Sequence, residues 1–213
     1  GANFLMTQGG TMVDLDAYGD LWLDENGYIY INPNDPKLMV TDERIKLGSV
    51  LPDYNAGFRN DFSYEGITLS LLFSAGFGGI VVSPTQGFLD GLGVSKASAD
   101  ARDAGGVPIN NGRIDAQHYY ETVGLGQLLS HYTYSATNVR LQETSIGYTF
   151  PKKWMGDRVK LTASLVGRNL WMIYCKAPFD PELTASTGSY LQGIDYFMQP
   201  SLRSLGFNVQ LKF

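Results

Sequence analysis

The amino-acid sequence predicts an all-β fold of antiparallel strands, joined alternately by tight turns and long loops. Composition is the first reason: 17% of residues are charged and 25 are glycine, beside 13 Tyr, 11 Phe and 3 Trp. An average soluble domain has about 25% charged residues and about 7% glycine. The second reason is alternation of apolar and polar residues with period 2 in several segments, which is typical of strands. The third is that every second connection is far longer than the usual hairpin loop of about 2–5 residues.

The same composition excludes several classes of protein. Sixteen Lys and Arg against 21 Asp and Glu give a net charge of −5, which argues against a nucleic-acid partner. The single Cys175 excludes an internal disulfide framework. The most apolar run, Leu69–Val82, is broken by serines and glycines, so no stretch approaches the roughly 18 apolar residues of a membrane helix. Strands of a membrane barrel need only about 9–11 residues, so that class stays open.

In chain order, the alternation predicts about six strands. A bulge is expected in the fourth, near Gln142–Thr144, because its apolar residues change phase there. The last strand is the clearest, since apolar and polar residues alternate without a break up to the terminus. The predicted strands are Thr11–Leu23, Phe58–Tyr64, Ile67–Ala75, Asn138–Phe150, Val159–Asn169 and Ser204–Phe213.

Three long loops separate these strands, at residues 24–55, 76–137 and 171–201. Short helices are predicted within the second loop, at Gly87–Asp103 and Asp115–Val123. Tight turns on one side and long loops on the other are typical of outer-membrane barrels. Six strands are fewer than the eight of the smallest single-chain barrel, so a barrel of this kind would be incomplete. A secreted β-sandwich that binds carbohydrate through loop aromatics is the alternative.

A series of short motifs, in order and spacing, resembles the carboxyl-terminal portion of SusC/RagA-like, TonB-dependent outer-membrane transporters of the Bacteroidetes type. The resemblance covers most of the chain. It is carried by Leu51-Pro52-Asp53-Tyr54, Phe62-Ser63-Tyr64, Ile146-Gly147-Tyr148-Thr149-Phe150-Pro151, Gly167-Arg168-Asn169-Leu170, Ala177-Pro178-Phe179-Asp180-Pro181-Glu182, Gln192-Gly193-Ile194-Asp195-Tyr196 and Pro200-Ser201-Leu202-Arg203-Ser204-Leu205-Gly206-Phe207.

This resemblance implies that residues 1–213 are the last strands of a transmembrane β-barrel of about 22 strands, with long extracellular loops, in the bacterial outer membrane. The family imports oligosaccharides or peptides with energy relayed by TonB, and a SusD-like surface lipoprotein caps the barrel. The plug domain and TonB box lie toward the amino end in the family, and neither is readable here. The resemblance implies no enzyme activity and no cofactor, and outer-membrane lipid as a further partner.

Three sets of residues are the site candidates. The terminal strand resembles the signal that the outer-membrane assembly machinery recognises, and strand addition at an open edge gives it a mechanism. Aromatic residues of the last loop are candidates for contact with ligand or lipoprotein, a membrane-interface girdle being the alternative. Arg140 and Arg168 are expected to face the barrel lumen, because an Arg facing lipid costs about 2–4 kcal/mol. The first two sets are Leu205, Phe207, Val209, Leu211 and Phe213, then Trp171, Tyr174, Phe179, Tyr190 and Tyr196.

Residues that suggest catalysis have weaker support. Asp180 and Glu182 are the pair that a glycosidase reading would use, but a role in ordering the loop is favoured. His118 and His131 lack a nucleophile motif, and the acidic residues near Asp14–Glu25 do not match the spacing of a calcium loop. We therefore predict no catalytic residue and no metal site.

Overall fold

A computed structural model describes residues 5–6, 14–32, 35–38, 40–110, 112–126, 128–155, 159–183 and 192–212. The strands are β1 (Leu5–Met6), β2 (Asp14–Tyr18), β3 (Ile31–Asn32), β4 (Asp35–Leu38), β5 (Arg44–Ser49), β6 (Tyr54–Tyr64), β7 (Ile67–Phe77), β8 (Ile80–Val82), β9 (Val107–Ile109), β10 (Gly112–Ile114), β11 (Thr133–Ser135), β12 (Asn138–Thr149), β13 (Lys160–Cys175) and β14 (Ser204–Lys212). The helices are α1 (Pro84–Gly91), α2 (Lys96–Asp103) and α3 (Ala116–Tyr120), with a π-helix at Glu121–Leu125 and a 3₁₀-helix at Lys152–Met155.

The chain divides into two compact units. The first, which we call the loop unit, comprises Gly1–Leu51, Gly79–Ser135 and Glu182–Met198. The second, the sheet unit, comprises Pro52–Gly78, Ala136–Pro181 and Gln199–Phe213. Each unit is therefore assembled from segments that are distant in sequence.

The sheet unit contains one five-stranded antiparallel sheet in the order β14-β13-β12-β7-β6. Five of the six predicted strands form it, so the alternation identified its strands. The sixth, at Thr11–Leu23, corresponds to the shorter β2, and Thr11–Val13 lie outside the described residues. The sheet does not close on itself, and β6 and β14 are its two edges.

The predicted turn at Tyr64-Glu65-Gly66 joins β6 to β7. Glu65 has φ 47° and Gly66 has φ 86°, as a two-residue type I′ turn requires at both central positions. Gly66 also approaches β12 closely, since the Thr149 amide donates to its carbonyl at 2.7 Å. A Cβ at Gly66 would lie 2.8 Å from the Thr149 carbonyl oxygen, so both turn geometry and packing favour glycine there.

The bulge predicted near Gln142–Thr144 is confirmed, because β12 shifts register against both neighbours between Leu141 and Glu143. The predicted end of the next strand near Asn169 is wrong: β13 continues to Cys175. Asn169 has φ 51°, and this interruption changes the phase of the apolar residues. A strand with an internal bulge thus looks in sequence like a strand followed by a loop.

The loop unit contains four small sheets, with strand orders β1-β2-β5, β3-β4, β9-β10 and β8-β11. Both predicted helical regions are helical. The first is two helices, because the chain turns at Gly93 (φ 72°) and Ser95 then caps α2 by accepting from the Ser98 amide. The second begins at its cap Asp115 and runs through α3 into the π-helix. No helix in the described ranges is long and apolar enough to cross a membrane.

Two apolar clusters form the core of the loop unit. One gathers residues from β2, β8, and the segments around Val50, Leu129 and Ile194. The other packs the α3–π-helix region, through Tyr119 and Val123, against Tyr132 and β3–β4. Most of the described residues in the first two predicted long loops therefore belong to a folded body with its own core, together with the described part of 182–198.

Candidate functional site

The five-stranded sheet has one apolar face, which is exposed. Cross-strand partners point to the same face of a sheet, and the pairing aligns Phe62, Leu69, Ile146, Leu165 and Phe207 in one row across all five strands. Leu165 is 59% exposed and Phe207 68% exposed. Large apolar surface of this extent on a folded protein marks contact with a membrane or partner.

Aromatic side chains border this apolar face at both ends of the strands. At the turn end, Tyr148 contacts Phe150 edge-to-face with ring centroids 4.9 Å apart, and Phe150 lies tilted against Trp154 at 6.0 Å. At the other end, Trp171 lies opposite Leu141 and Tyr174 opposite Val139. Trp and Tyr at two levels that flank an apolar band are typical of membrane-interface girdles.

The opposite face of the sheet is polar and carries ion pairs. Arg168 Nε donates to Glu143 Oε2 at 2.9 Å, directly across the β12–β13 pair. Arg59 Nε lies 3.0 Å from Asp61 Oδ2 on β6. Arg140 is also on this face, because its neighbour Leu141 pairs with Phe73 on the apolar side. Both arginines selected in the sequence thus share the polar face.

Arg140 is buried and holds the segment after β13 against this polar face. Its Nη2 donates to Asp180 Oδ1 at 2.7 Å, with side-chain exposures of only 4% and 9%. Cys175 Sγ lies 3.4 Å from the Ala177 carbonyl oxygen, to which it donates. A cavity of about 290 Å³ adjoins this pair, lined also by Trp171, Phe179 and Arg203. Asp180 thus orders its segment, and its ion pair with Arg140 does not support a glycosidase role.

The terminal strand is an open edge of the sheet. Among the described residues, those of β14 pair only with β13, from Arg168↔Ser204 to Lys160↔Lys212. Four of the five predicted assembly-signal residues, Leu205, Phe207, Val209 and Leu211, alternate on the apolar face there and are at least half exposed. Phe213 lies outside the described residues. The free backbone groups of this edge are available to a further strand.

In the loop unit, the segment around Asp195 is fixed to the start of α1. Ser83 Oγ donates to Asp195 Oδ2 at 2.6 Å, and both side chains are buried. The same Ser83 oxygen caps α1 by accepting from the Gln86 amide at 3.1 Å. The Phe197 amide donates to Thr85 Oγ1 at 2.7 Å. The first and last of these bonds each join residues 112 positions apart in sequence.

The same segment presents a group of aromatic rings. Phe88 of α1 lies 5.7 Å from Phe197 and 6.5 Å from Tyr196, between ring centroids. Tyr196 and Phe197 are both more than half exposed. Phe197 has φ 54°, and a bulky residue holds this conformation only where its surroundings fix it.

Buried and half-buried tyrosines of the loop unit lie close enough to Asp90 to feel its charge. Burial, assisted by the negative charge of Asp90, raises the pKa of Tyr134 to about 12. Burial, with Tyr120 and Asp90 adding to it, raises the pKa of Tyr119 to about 12 as well. Burial lowers the pKa of His131, although Asp20 and Asp90 oppose that shift. Among the described residues, no three His, Cys, Asp or Glu side chains converge as a metal site would require.

The structure separates the aromatic residues that the sequence grouped in one loop. Trp171 and Tyr174 are strand residues of the sheet unit, which favours the girdle alternative for both. Phe179 lines the cavity beside Arg140, Tyr196 belongs to the loop unit, and Tyr190 lies outside the described residues. Ligand contact by these residues therefore stays a prediction.

Two features of the site were not predicted from the sequence. The bond between Ser83 and Asp195 was missed, although a Ser directly before Pro84 in a helical segment is a recognisable cap signal. The partner ring Phe88 was missed because nothing local links it to residues 108 positions away along the chain.

Comparison with known proteins gives relatives along the whole chain. The chain is 27% identical over 220 residues to TonB-dependent receptor P3 of Formosa agariphila. The aligned region covers all of this chain and 21% of the relative. It is 22% identical over 214 residues to TonB-dependent receptor P39 of the same organism, covering 97% of this chain and 19% of the relative. The chain thus spans about a fifth of the length of these curated relatives. No protein-family model matches it.

Solved structures of the RagAB peptide importer share the fold. In the open-open state the TM-score is 0.63 at 18% identity, over 100% of this chain and 24% of that one. In the closed-closed state the TM-score is 0.59 at 15% identity, over 99% of this chain and 22% of that one.

An open antiparallel sheet with one apolar and one polar face, matched to the barrels of these receptors, defines the fold class: all-β, with antiparallel strands arranged as in part of a β-barrel. The predicted fold class is thereby confirmed. The chain is SusC/RagA-like and similar to TonB-dependent receptors throughout its length.

Proposed function

We propose that the chain supplies part of the barrel wall and extracellular loops of an outer-membrane, TonB-dependent importer of oligosaccharides or peptides. In this proposal the apolar face contacts lipid and the polar face lines the lumen. The long loops form the loop unit outside the membrane. A SusD-like lipoprotein, the TonB system and the remaining strands would be supplied by other chains or by other parts of the receptor. No catalytic step is assigned to any residue.

The exposed apolar face is the observation that carries this proposal. On β6, ten residue steps separate Tyr64 from Tyr54, which is roughly 33 Å along the strand at about 3.3 Å per residue. Strands of membrane barrels tilt by about 35–45°, which reduces this length to about 25 Å across the membrane. That is the height of the apolar band of such barrels.

The β-sandwich alternative would require the same apolar face to be buried. In a sandwich, a second sheet packs about 10 Å away and buries the apolar side chains. Here Ile146, Leu165 and Phe207, in the centre and at the edge of the sheet, are each more than half exposed. The lipid-facing assignment accounts for this exposure.

The proposal also gives the open edge β14 a function. Its backbone groups would bond to the first strand of the completed barrel, because closure is the way membrane barrels avoid free edges. The predicted assembly signal lies on this same strand, so recognition and closure would use one element.

The test uses the full-length receptor that contains this chain, with and without Leu205–Phe213. Outer-membrane fractionation and heat-modifiable migration are measured for both. We expect barrel-type migration for the intact receptor and its loss on deletion. A soluble product, unaffected by the deletion, would contradict the proposal and favour the sandwich.

A further inference from the structure

A cavity of about 370 Å³ lies among α1, α2, α3 and the π-helix of the loop unit. This volume is at the lower end of the range of about 300–1,000 Å³ found for small-molecule pockets. Its lining includes charged, polar, aromatic and aliphatic side chains: Asp90, Arg102, Gln117, Tyr120, Glu121 and Leu125. We call it the helix cavity.

Asp90 is the unusual member of this set. It is only 5% exposed, and its Oδ1 accepts a hydrogen bond from the neutral amide Gln86 Nε2 at 2.8 Å. Burial raises the pKa of Tyr132, and the interaction of its neutral hydroxyl with this carboxylate raises it further. Within the described residues no Lys, Arg or His forms an ion pair with it. A buried carboxylate is costly unless a positive charge pairs with it. The helix cavity therefore has a negative charge at a buried position without a counter-ion from this part of the chain.

The other charged side chains of the cavity do not neutralise Asp90. Glu121 adds a second carboxylate, held by Gln117 Nε2, which donates to its Oε1 at 2.7 Å. Arg102 is exposed and donates to the Gly93 carbonyl oxygen at 3.1 Å. Burial raises the pKa of Tyr120, and the negative charges of Asp90 and Asp100 raise it further. All these observations describe a site with negative potential at its buried end.

Apolar and aromatic groups complete the lining. Leu92 and Leu125 are both more than a third exposed at the cavity, so they offer contact for an aliphatic chain. The ring of Tyr120 offers a face on which a cation is attracted by the ring quadrupole. The π-helix that positions Glu121 and Leu125 is a form found frequently at functional sites.

We propose that the helix cavity binds a cationic side chain, a Lys or Arg of an incoming peptide, with its charge at Asp90 and its aliphatic stem against Leu92 and Leu125. This inference rests on the proposed import function and assigns it a substrate class, peptide in preference to neutral glycan. A neutral sugar would leave the carboxylate of Asp90 without its counter-ion, whereas an ammonium or guanidinium group supplies it and forms charge-assisted hydrogen bonds.

The test measures peptide binding to the full-length receptor purified in detergent. Two probes are compared by titration calorimetry: acetyl-Ala-Lys-Ala-amide and the same peptide with Nε-acetyl-lysine, which has the same stem and no charge. We expect the charged peptide to bind at least tenfold more tightly. Equal affinity of the two probes would overturn the inference.

Two variants test whether the preference for the charged peptide arises at the helix cavity. Asp90→Asn removes the buried charge with little change of shape, and Leu92→Trp adds bulk at an exposed position without touching a buried group. Each should abolish the tenfold preference. Asp61→Asn, which makes the same charge change on an exposed strand residue of the sheet unit, is the matched control and should keep it. A preference that survives both Asp90→Asn and Leu92→Trp would refute the site.

The outcome is separable from that of the proposed function. Heat-modifiable migration and outer-membrane fractionation are measured on the same preparations. A receptor that assembles normally but binds both probes equally disproves the cation site and leaves the importer proposal standing. A receptor that fails to assemble in its unsubstituted form disproves the importer proposal instead.

Discussion

Leu165→Arg is the substitution that tests most directly which face of the sheet contacts lipid. Leu165 lies in β13 between Ile146 and Phe207, with 59% of its surface exposed. It is four residues from Leu161 at the turn end of the sheet, which is about 13 Å along the strand. With a tilt of about 40°, the side chain lies about 10 Å inside the apolar band, near its middle.

An arginine at this depth is expected to cost about 2–4 kcal/mol, which is a shift of roughly 30-fold to 700-fold in the folding equilibrium. The matched control is Ser164→Arg, one residue away on the polar face, where Ser164 pairs with Gly147 and Asn208. Lumen-facing substitutions of this kind leave a barrel stable, so the control should behave as the parent.

The assay is urea unfolding of the full-length receptor in phospholipid vesicles, followed by heat-modifiable migration. Leu165→Arg should lower the unfolding midpoint and the fraction that inserts, and Ser164→Arg should not. The reasoning is refuted if the two variants are equally stable, or if Ser164→Arg is the more damaging one.

Three further predictions concern the polar networks. Arg140→Met should destabilise the protein by about 3–5 kcal/mol, because it removes a buried positive charge from its ion pair with the Asp180 carboxylate. Adding Asp180→Leu should restore much of the loss of unfolding free energy in denaturant titrations, and no restoration would count against the ion pair. Ser83→Ala removes both the helix cap and the bond to Asp195, which should lower the free energy of unfolding of the loop unit by about 1–3 kcal/mol. Limited proteolysis should therefore cut this variant faster than the parent, whereas Ser83→Thr keeps the hydroxyl and should resist cleavage. Equal cleavage of both variants would contradict this. Burial lowers the pKa of His131, so the unfolded state binds a proton more readily than the folded state does. The loop unit should therefore lose stability as pH falls below about 6.5. His131→Phe should remove this pH dependence from the rate of proteolysis measured between pH 7.5 and 5, and an unchanged pH dependence would assign it to other groups.

Local pattern was sufficient to locate the sheet. Period-2 alternation identified β6, β7, β12, β13 and β14 because each has one apolar and one polar face. The bulge in β12 was also legible, as a change of phase. The alternation did not predict the end of β13, because the strand is irregular at Asn169 and the apolar residues change phase there. The residues from Trp171 to Cys175 were therefore assigned to a loop.

The loop unit was not predictable in the same way, since its order depends on contacts between distant residues. In the loop unit, Ser83 and Asp195 are 112 residues apart. The sheet unit has the same feature in its Arg140–Asp180 ion pair, whose partners are 40 residues apart. Each residue has an ordinary local environment in the sequence, and only the folded chain brings the partners together. Sequence therefore identified Arg140 and Asp180 separately, as a lumen charge and a loop-ordering carboxylate, without pairing them.

The bonds that join α1 to the segment around Asp195 have a consequence for the order in which the parts of the fold can form. Ser83 and Asp195 are 112 residues apart, and closing so long a stretch of chain is slow compared with forming a hairpin. The β6–β7 and β12–β13 hairpins need only neighbouring residues, so their strands can pair without any long-range contact. The loop unit is completed only when the segment around Asp195 reaches α1. Chains truncated before residue 192 should therefore contain the two hairpins and lack a finished loop unit.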